Sequence, residues 1–276
     1  MTHRQILDVA VQKLKAAGIT EAQNDAFVLW QEVFGLNRTG YLINADKEAD
    51  SNLTPKYMML VKLRCTRMPL QYITGKAYFM GLEFKVTQDV LIPRFDTEVI
   101  VEEALKYVDE NTEVLDMCTG SGCIGISLSV HKKCSVTAVD ISQGALEIAK
   151  ENAISNNAEN ISFIQSDMFQ NITGRYDMIV SNPPYISSKE VLELMPEVLE
   201  YEPRLALDGH EDGLFFYRIL AERSQDFLKD NGMLIMEIGY NQAEDVYALL
   251  ENNNYTDIRV IKDLAGLYRG VCGRRK

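Results

Sequence analysis

The sequence predicts an α/β protein: a doubly wound, mostly parallel seven-stranded sheet with an antiparallel C-terminal strand, plus a small N-terminal helical domain joined to it by a β-hairpin linker. Three observations predict this. From Glu113 onward, short apolar runs alternate with helical stretches, the pattern of successive β-α-β units. Residues 1–70 instead repeat apolar side chains at helical spacing. Between these regions, residues 71–98 hold short aromatic and β-branched runs parted by Gly81, as a hairpin would.

Each element has its own signal. Ile6, Leu7, Ala10, Val11 and Leu14 form one helical stripe that ends at Gly18. Thr20 and Gln23 have capping-box spacing ahead of Phe27, Leu29, Trp30, Val33 and Phe34, and Gly35 stops that helix. Thr54-Pro55 offers a cap and a first-turn proline to a third helix through Met58, Val61 and Cys65. Asp96, Thr97 and Glu98 open another, with acid in the turn where the helix dipole favours it. Strands are expected at 114–117, 135–140, 161–164, 176–180 and 233–238, and helices at 123–131, 142–156, 214–229 and 241–252. The tail reads as two more strands, 255–261 and 267–272, joined by a turn at 263–266.

Composition narrows the function. The 276 residues carry 28 Lys+Arg against 40 Asp+Glu, a formal charge of −12, which excludes a highly basic nucleic-acid coat and favours a protein or small-molecule substrate. A 46% apolar and 25% charged chain is globular rather than disordered, collagenous or coiled. No apolar run approaches the ~18 residues of a membrane span, and the first residues lack a signal peptide's apolar stretch, so a cytoplasmic protein that does not engage membrane is expected. Cys65, Cys118, Cys123, Cys134 and Cys272 are scattered and include no C-x-x-C pair; His3, His131 and His210 are far apart. Neither a disulfide framework nor a zinc site is indicated, a hydrolytic triad or histidine-based metal site would be hard to assemble, and the chemistry is expected to come from a cofactor.

Residues 116–125, DMCTGSGCIG, place small residues between a strand and a helix, with Gly120 and Gly122 able to bring backbone close to a ligand. The register is not G-x-G-x-x-G, and a tight strand-to-helix turn is an equal reading. Asp140 ends the next strand, where a carboxylate accepts from a ribose diol or caps the following helix. Asp167 and Met168 follow the third strand, suited to an adenine amino group and ring, or to a surface cap with a buried methionine. Ser181-Asn182-Pro183-Pro184-Tyr185 follows the fourth. Its prolines force the backbone out of the sheet there, which brings Asn182 and Tyr185 into the cleft.

With the glycine loop, Asp140 and residues 165–169 preceding it in order, this tetrapeptide resembles the (N/D)-P-P-(Y/F) signature of class I S-adenosylmethionine-dependent methyltransferases, which have a Rossmann-like sheet and modify a planar amino group. Nearly the whole chain resembles the PrmC/HemK family of peptide chain release factor glutamine methyltransferases. Residues 69–75 (PLQYITG), 91–98 (LIPRFDTE), 181–186, 202–207 (EPRLAL) with Gly213, and 237–239 (EIG) carry that likeness. The resemblance implies an N-terminal helical substrate-recognition domain over 1–70, a hairpin linker over 71–98 and a catalytic domain over 99–276. It implies S-adenosyl-L-methionine as cofactor, with S-adenosyl-L-homocysteine as product, no metal, release factors as protein partners, and no direct nucleic-acid binding.

The implied catalytic residues are Asn182, Pro183 and Tyr185. Cys118, Thr119, Gly120, Ser121, Gly122, Asp140, Asp167, Met168 and Asn182 would bind cofactor; Asn182, Pro183, Pro184 and Tyr185 would bind substrate. Ile92, Pro93, Arg94 and Glu98 would line the donor site or form a linker proline with solvated charges, and Trp30 reads as core. Cys118, Phe95 and Met168 depart from the family pattern, where glycine, proline and a larger apolar residue are common; they bear on cofactor affinity more than on reaction type. Two other functions share parts of this pattern: adenine N6-methylation of nucleic acid, disfavoured by the charge, and non-catalytic binding of an adenosine ligand, disfavoured by the intact Asn182 and Tyr185.

Overall fold

The computed structural model describes residues 1–276. Helices are α1 (His3–Ala16), α2 (Ala22–Phe34), α3 (Arg38–Asn44), α4 (Leu53–Cys65), α5 (Leu70–Thr74), α6 (Glu98–Ala104), α7 (Cys123–Lys132), α8 (Gln143–Ser155), α9 (Ser188–Val191), α10 (Pro196–Leu199), α11 (Phe215–Phe227) and α12 (Ala243–Asn252). Strands are β1 (Lys76–Phe79), β2 (Leu82–Lys85), β3 (Glu113–Met117), β4 (Ser135–Asp140), β5 (Ile161–Gln165), β6 (Tyr176–Ser181), β7 (Leu228–Glu237), β8 (Thr256–Lys262) and β9 (Tyr268–Arg274). Contacts group residues 1–75 with 195–201 in one unit, and 76–194 with 202–276 in another.

In the first unit, α1, α2 and α4 bury Ile6, Ala10, Leu14, Leu29, Trp30, Tyr57 and Val61. Trp30 is fully buried, as a core residue, and its Nε1 donates to His3 Nδ1 at 3.2 Å. The capping box forms at Thr2 and Gln5, at the start of α1. The one expected at Thr20 and Gln23 does not: α2 begins at Ala22, so Glu21 occupies the cap and Gln23 falls one position short of the third helical residue that a box requires. Pro55 sits third in α4, where its missing N–H is still one of the helix's unpaired donors. Gly35 ends α2 in the left-handed conformation.

The segment 195–201 enters this unit through charge. Arg64 Nε donates to Asp25 Oδ2 at 2.8 Å, Arg67 Nη2 to Glu197 Oε2 at 2.6 Å, and Arg64 Nη1 lies 3.5 Å from Glu197 Oε1. The Tyr201 hydroxyl donates to the Thr66 carbonyl at 2.6 Å.

In the second unit, β1 and β2 pair antiparallel around the left-handed residues Met80 and Gly81. The hairpin expected as a linker is part of this unit's core, with Phe79 and Phe84 buried against α6 and the sheet. The main sheet has the order β5-β4-β3-β6-β7-β9-β8. The five strands β5 to β7 run parallel, and β9 runs antiparallel between β7 and β8. Alternate residues feed two cores: Leu115, Met117, Ile179, Leu234 and Met236 pack with α11 and α12, while Val114, Val136, Met178, Val180 and Ile235 pack with α6 and α7. Burial on both faces explains the nearly unbroken apolar runs of β3, β6 and β7.

Candidate active site

The chain leaves β3 toward β4 and β5 on one side, then returns to β6 on the other. Loops that diverge in this way leave a crevice at the carboxyl ends of the strands. A cavity of about 710 Å³ occupies that position.

β3 runs into Cys118, Gly120 and Gly122, all left-handed, with φ of 61°, 55° and 82°. At Gly122 a Cβ would lie 2.7 Å from Ile126 Cδ1 and 3.2 Å from Ala149 Cβ, so torsion and packing both require glycine. Cys118 lines the cavity, and burial pushes its thiol pKa up, keeping it neutral. Under the loop, Asp116 Oδ2 accepts from the Thr119 hydroxyl at 2.5 Å and the Gly125 N–H at 3.0 Å, while Oδ1 is buried without a hydrogen-bond partner. Complete burial pushes its pKa up to about 7.

Asp140 ends β4. Its Oδ2 accepts from the Gly120 N–H at 2.8 Å and its Oδ1 from the Ser142 N–H at 2.9 Å. Ser142, not Asp140, caps α8 with its own hydroxyl; Asp140 supports the helix start through the Ser142 N–H while lining the cavity. Burial raises the Asp140 pKa, and these backbone donors oppose the shift. Each carboxylate oxygen retains a further lone-pair direction, as a diol would require. Asp167 and Met168 also line the cavity, beyond β5. Pro93 and Arg94 do so as well, Arg94 paired with the buried carboxylate of Glu202. Ile92 and Glu98 do not: Ile92 is buried in the core, and Glu98 Oε1 accepts from the Met80 N–H at 2.6 Å and ties down the hairpin turn.

At the end of β6, the Ser181 hydroxyl donates to the Met117 carbonyl at 2.7 Å, joining two neighbouring strand ends. Asn182 and Pro184 line the cavity with Cys118, Thr119, Gly120 and Ser121, whereas Gly122, Pro183 and Tyr185 are not part of its wall. Asn182 Nδ2 donates to Thr97 Oγ1 at 3.4 Å, an arrangement that leaves Oδ1 without a partner in the chain. The Tyr185 hydroxyl donates to Glu237 Oε1 at 3.2 Å, and burial raises its pKa. The Tyr185 carbonyl accepts from Gln242 Nε2 at 2.9 Å; Gln242 Oε1 in turn accepts from the Gly239 N–H at 2.9 Å. Gly213, with φ of 73°, abuts that same carbonyl so closely that a Cβ there would overlap its oxygen.

Thr97, Glu237 and Gln242 are the residues that sequence reasoning passed over as site components. An acid closing the wholly apolar run MLIM was a readable signal for Glu237. Thr97 looked like a helix opener, and nothing marked Gln242.

The family description "Methyltransferase small domain" matches residues 94–210, and "PrmC N-terminal domain" matches residues 5–75. The release factor glutamine methyltransferase of Fusobacterium nucleatum is 40% identical over 276 residues, covering 98% of this chain and 78% of the relative. That of Geobacter sulfurreducens is 40% identical over 275 residues, covering 99% and 96%. Among solved structures, a methyltransferase from Pyrococcus furiosus superposes with a TM-score of 0.53 at 17% identity, covering 71% of this chain and 89% of that one, a likeness of fold. Across its length and through both of its units, the chain belongs to the release factor glutamine methyltransferase family.

Proposed function

We propose that the protein transfers a methyl group from S-adenosyl-L-methionine to the N5 side-chain amide of a glutamine in peptide chain release factors, in the cytoplasm. The observation that carries this reading is the Asn182 amide: its nitrogen is engaged by Thr97, and its oxygen is left free on the wall of a cavity that also holds Asp140 and the glycine loop. No helix is long and apolar enough to cross a membrane.

The donor set fits the cofactor. Asp140, with unused lone pairs, would take the ribose diol; Asp167 and Met168 the adenine; residues 118–122 the amino-acid end. When bound, the cofactor supplies a methyl group activated by a sulfonium.

The chain's own contribution is directed at the acceptor. An amide nitrogen is a poor nucleophile because its lone pair is delocalised into the carbonyl. Asn182 Oδ1 and the Pro183 carbonyl each accept one N–H of the substrate amide, and both bonds strengthen as positive charge develops on nitrogen. Removing one such preorganised dipole typically costs ~3–4 kcal/mol. Proline at 183 and 184 eliminates two backbone donors that would compete for these acceptors. Tyr185, held behind the cavity wall by its hydroxyl bond to Glu237, backs the tetrapeptide, and the proton leaves to water.

Purified protein, labelled S-adenosyl-L-methionine and a release factor test the reading. Label is expected on one glutamine, and Asn182→Ala is expected to reduce turnover about 100-fold while donor affinity holds. Label on nucleic-acid adenine alone, or donor binding without transfer to either substrate, would overturn it.

A further inference from the structure

The far end of the tetrapeptide is held by a side chain to which the proposed chemistry gives no part. Gln242 occupies the cap position ahead of α12, yet its side chain makes no capping bond to that helix. It reaches instead across three segments of the chain. Nε2 donates to the Tyr185 carbonyl at 2.9 Å and to the Gly213 carbonyl at 3.4 Å, and Oε1 accepts from the Gly239 N–H at 2.9 Å. The single proton of the buried Tyr217 hydroxyl is shared between the Glu237 carbonyl at 3.0 Å and Gln242 Oε1 at 3.3 Å.

A primary amide offers two N–H donors on its nitrogen and two lone pairs on its oxygen. Backbone carbonyls can only accept and a backbone N–H can only donate, so the groups around Gln242 dictate which end of its amide faces which. Reversed, it would set oxygen against two carbonyl oxygens and NH₂ against an N–H. Glycines make room for the contact: a Cβ at Gly213 would lie 2.8 Å from Nε2, and one at Gly239 would lie 2.8 Å from Oε1.

The tetrapeptide is thus anchored at both ends. Ser181, just before it, pairs with Met117 of β3 and Met236 of β7. Between that anchor and Tyr185 stand two prolines, whose rings lock φ at about −65°. Few torsions remain to absorb a movement of the Tyr185 carbonyl, so a shift there is passed back to the Pro183 carbonyl.

We propose that Gln242 is a positioning residue for methyl transfer: by fastening the Tyr185 carbonyl to the turn after β7, it sets the direction in which the Pro183 carbonyl faces the acceptor nitrogen. The proposal rests on the reading above in assigning that carbonyl to the substrate amide.

The test pairs kinetics with a probe independent of turnover. Gln242→Met, similar in length but without the amide, is expected to lower kcat roughly 10- to 100-fold while KM for the release factor and donor Kd stay within about threefold. Gln242→Glu keeps an oxygen for the Gly239 N–H and loses the donor to Tyr185, and is expected to show the same split. Glu244→Ala, exposed in the first turn of α12, is expected to match the wild type. Pro184-Tyr185 is the only Pro-Tyr step in the sequence, so 13C-carbonyl proline combined with 15N-tyrosine isolates the Tyr185 amide in NMR. That signal is expected to move in both Gln242 variants and to stay in place in Glu244→Ala. An unmoved Tyr185 signal in both Gln242 variants, or a wild-type kcat in Gln242→Glu, would overturn the proposal. A wild type that methylates no glutamine would instead overturn the substrate reading, and the Tyr185 signal would still report whether Gln242 holds the tetrapeptide.

Discussion

Gly213→Ala puts the backbone of the tetrapeptide under direct test. The new Cβ would overlap the Tyr185 carbonyl oxygen and sit 2.8 Å from Gln242 Nε2, at a position whose φ is 73°. The left-handed torsion alone costs an alanine about 1–2 kcal/mol. Relieving the overlap requires the carbonyl to withdraw by roughly 1 Å to reach an ordinary carbon–oxygen contact. Withdrawal breaks the Gln242–Tyr185 hydrogen bond, worth about 1 kcal/mol. The variant should therefore be about 2–3 kcal/mol less stable in urea denaturation. A misplacement on the order of 1 Å at a reacting centre costs about 100-fold in rate, so kcat should fall by about that factor, with donor affinity changed far less because the glycine loop and Asp140 lie on other strands. A folded Gly213→Ala protein that turns over within threefold of wild type would refute the claim that the Tyr185 carbonyl must stay where it is.

Asp140→Ala removes the acceptor for two loop amides and, on the proposed reading, for the ribose. Hydrogen bonds to a charged group contribute ~1.5–3 kcal/mol, so calorimetry should show donor affinity lower by about 10- to 100-fold, and an unchanged Kd would exclude Asp140 from the donor site. Asp116 gives a pH signature. Its folded pKa of about 7 stands above the ordinary 3.8, so between those values the folded state holds the proton more tightly than the unfolded chain. This group's contribution therefore favours folding at low pH, declines as pH rises toward 7, and is level above it. Asp116→Asn should remove a decline on the order of 2–3 kcal/mol between pH 5 and 8 from the urea midpoints, and a wild type and variant with parallel profiles would refute the burial penalty. Asp25→Ala strips Arg64 of its 2.8 Å partner inside the helical unit and should cost about 3 kcal/mol. Asp46→Ala, at an exposed pair with Arg4, should leave the denaturation midpoint where it is, and equal effects from the two would contradict this assignment.

The sheet was legible because its central strands are buried on both faces, so β3, β6 and β7 announce themselves as apolar runs between helical periods. The glycine loop, Asp140 and the tetrapeptide were legible because each closes such a strand. Short elements were not: α3 has no buried residue and so no apolar stripe, and α9 and α10 are single turns inside a long connection. Capping at Thr20 misled because spacing alone does not say where the first helical hydrogen bond forms, and Thr2 had the same spacing to Gln5. The supports of the tetrapeptide come from far along the chain, Thr97 and Gln242 lying on either side of it in sequence. Their roles arise from hydrogen bonds that only the folded chain brings together.

The charged anchorage of residues 195–201 bears on how the helical unit can be handled as a piece. Expressed alone, residues 1–75 would lack Glu197, leaving Arg67 without its carboxylate and Arg64 with Asp25 only. The unit is not a cassette that can be excised at its C-terminal boundary and moved. It is completed by a short stretch that lies more than a hundred residues further along the chain, so any transplant of it would have to carry that stretch too.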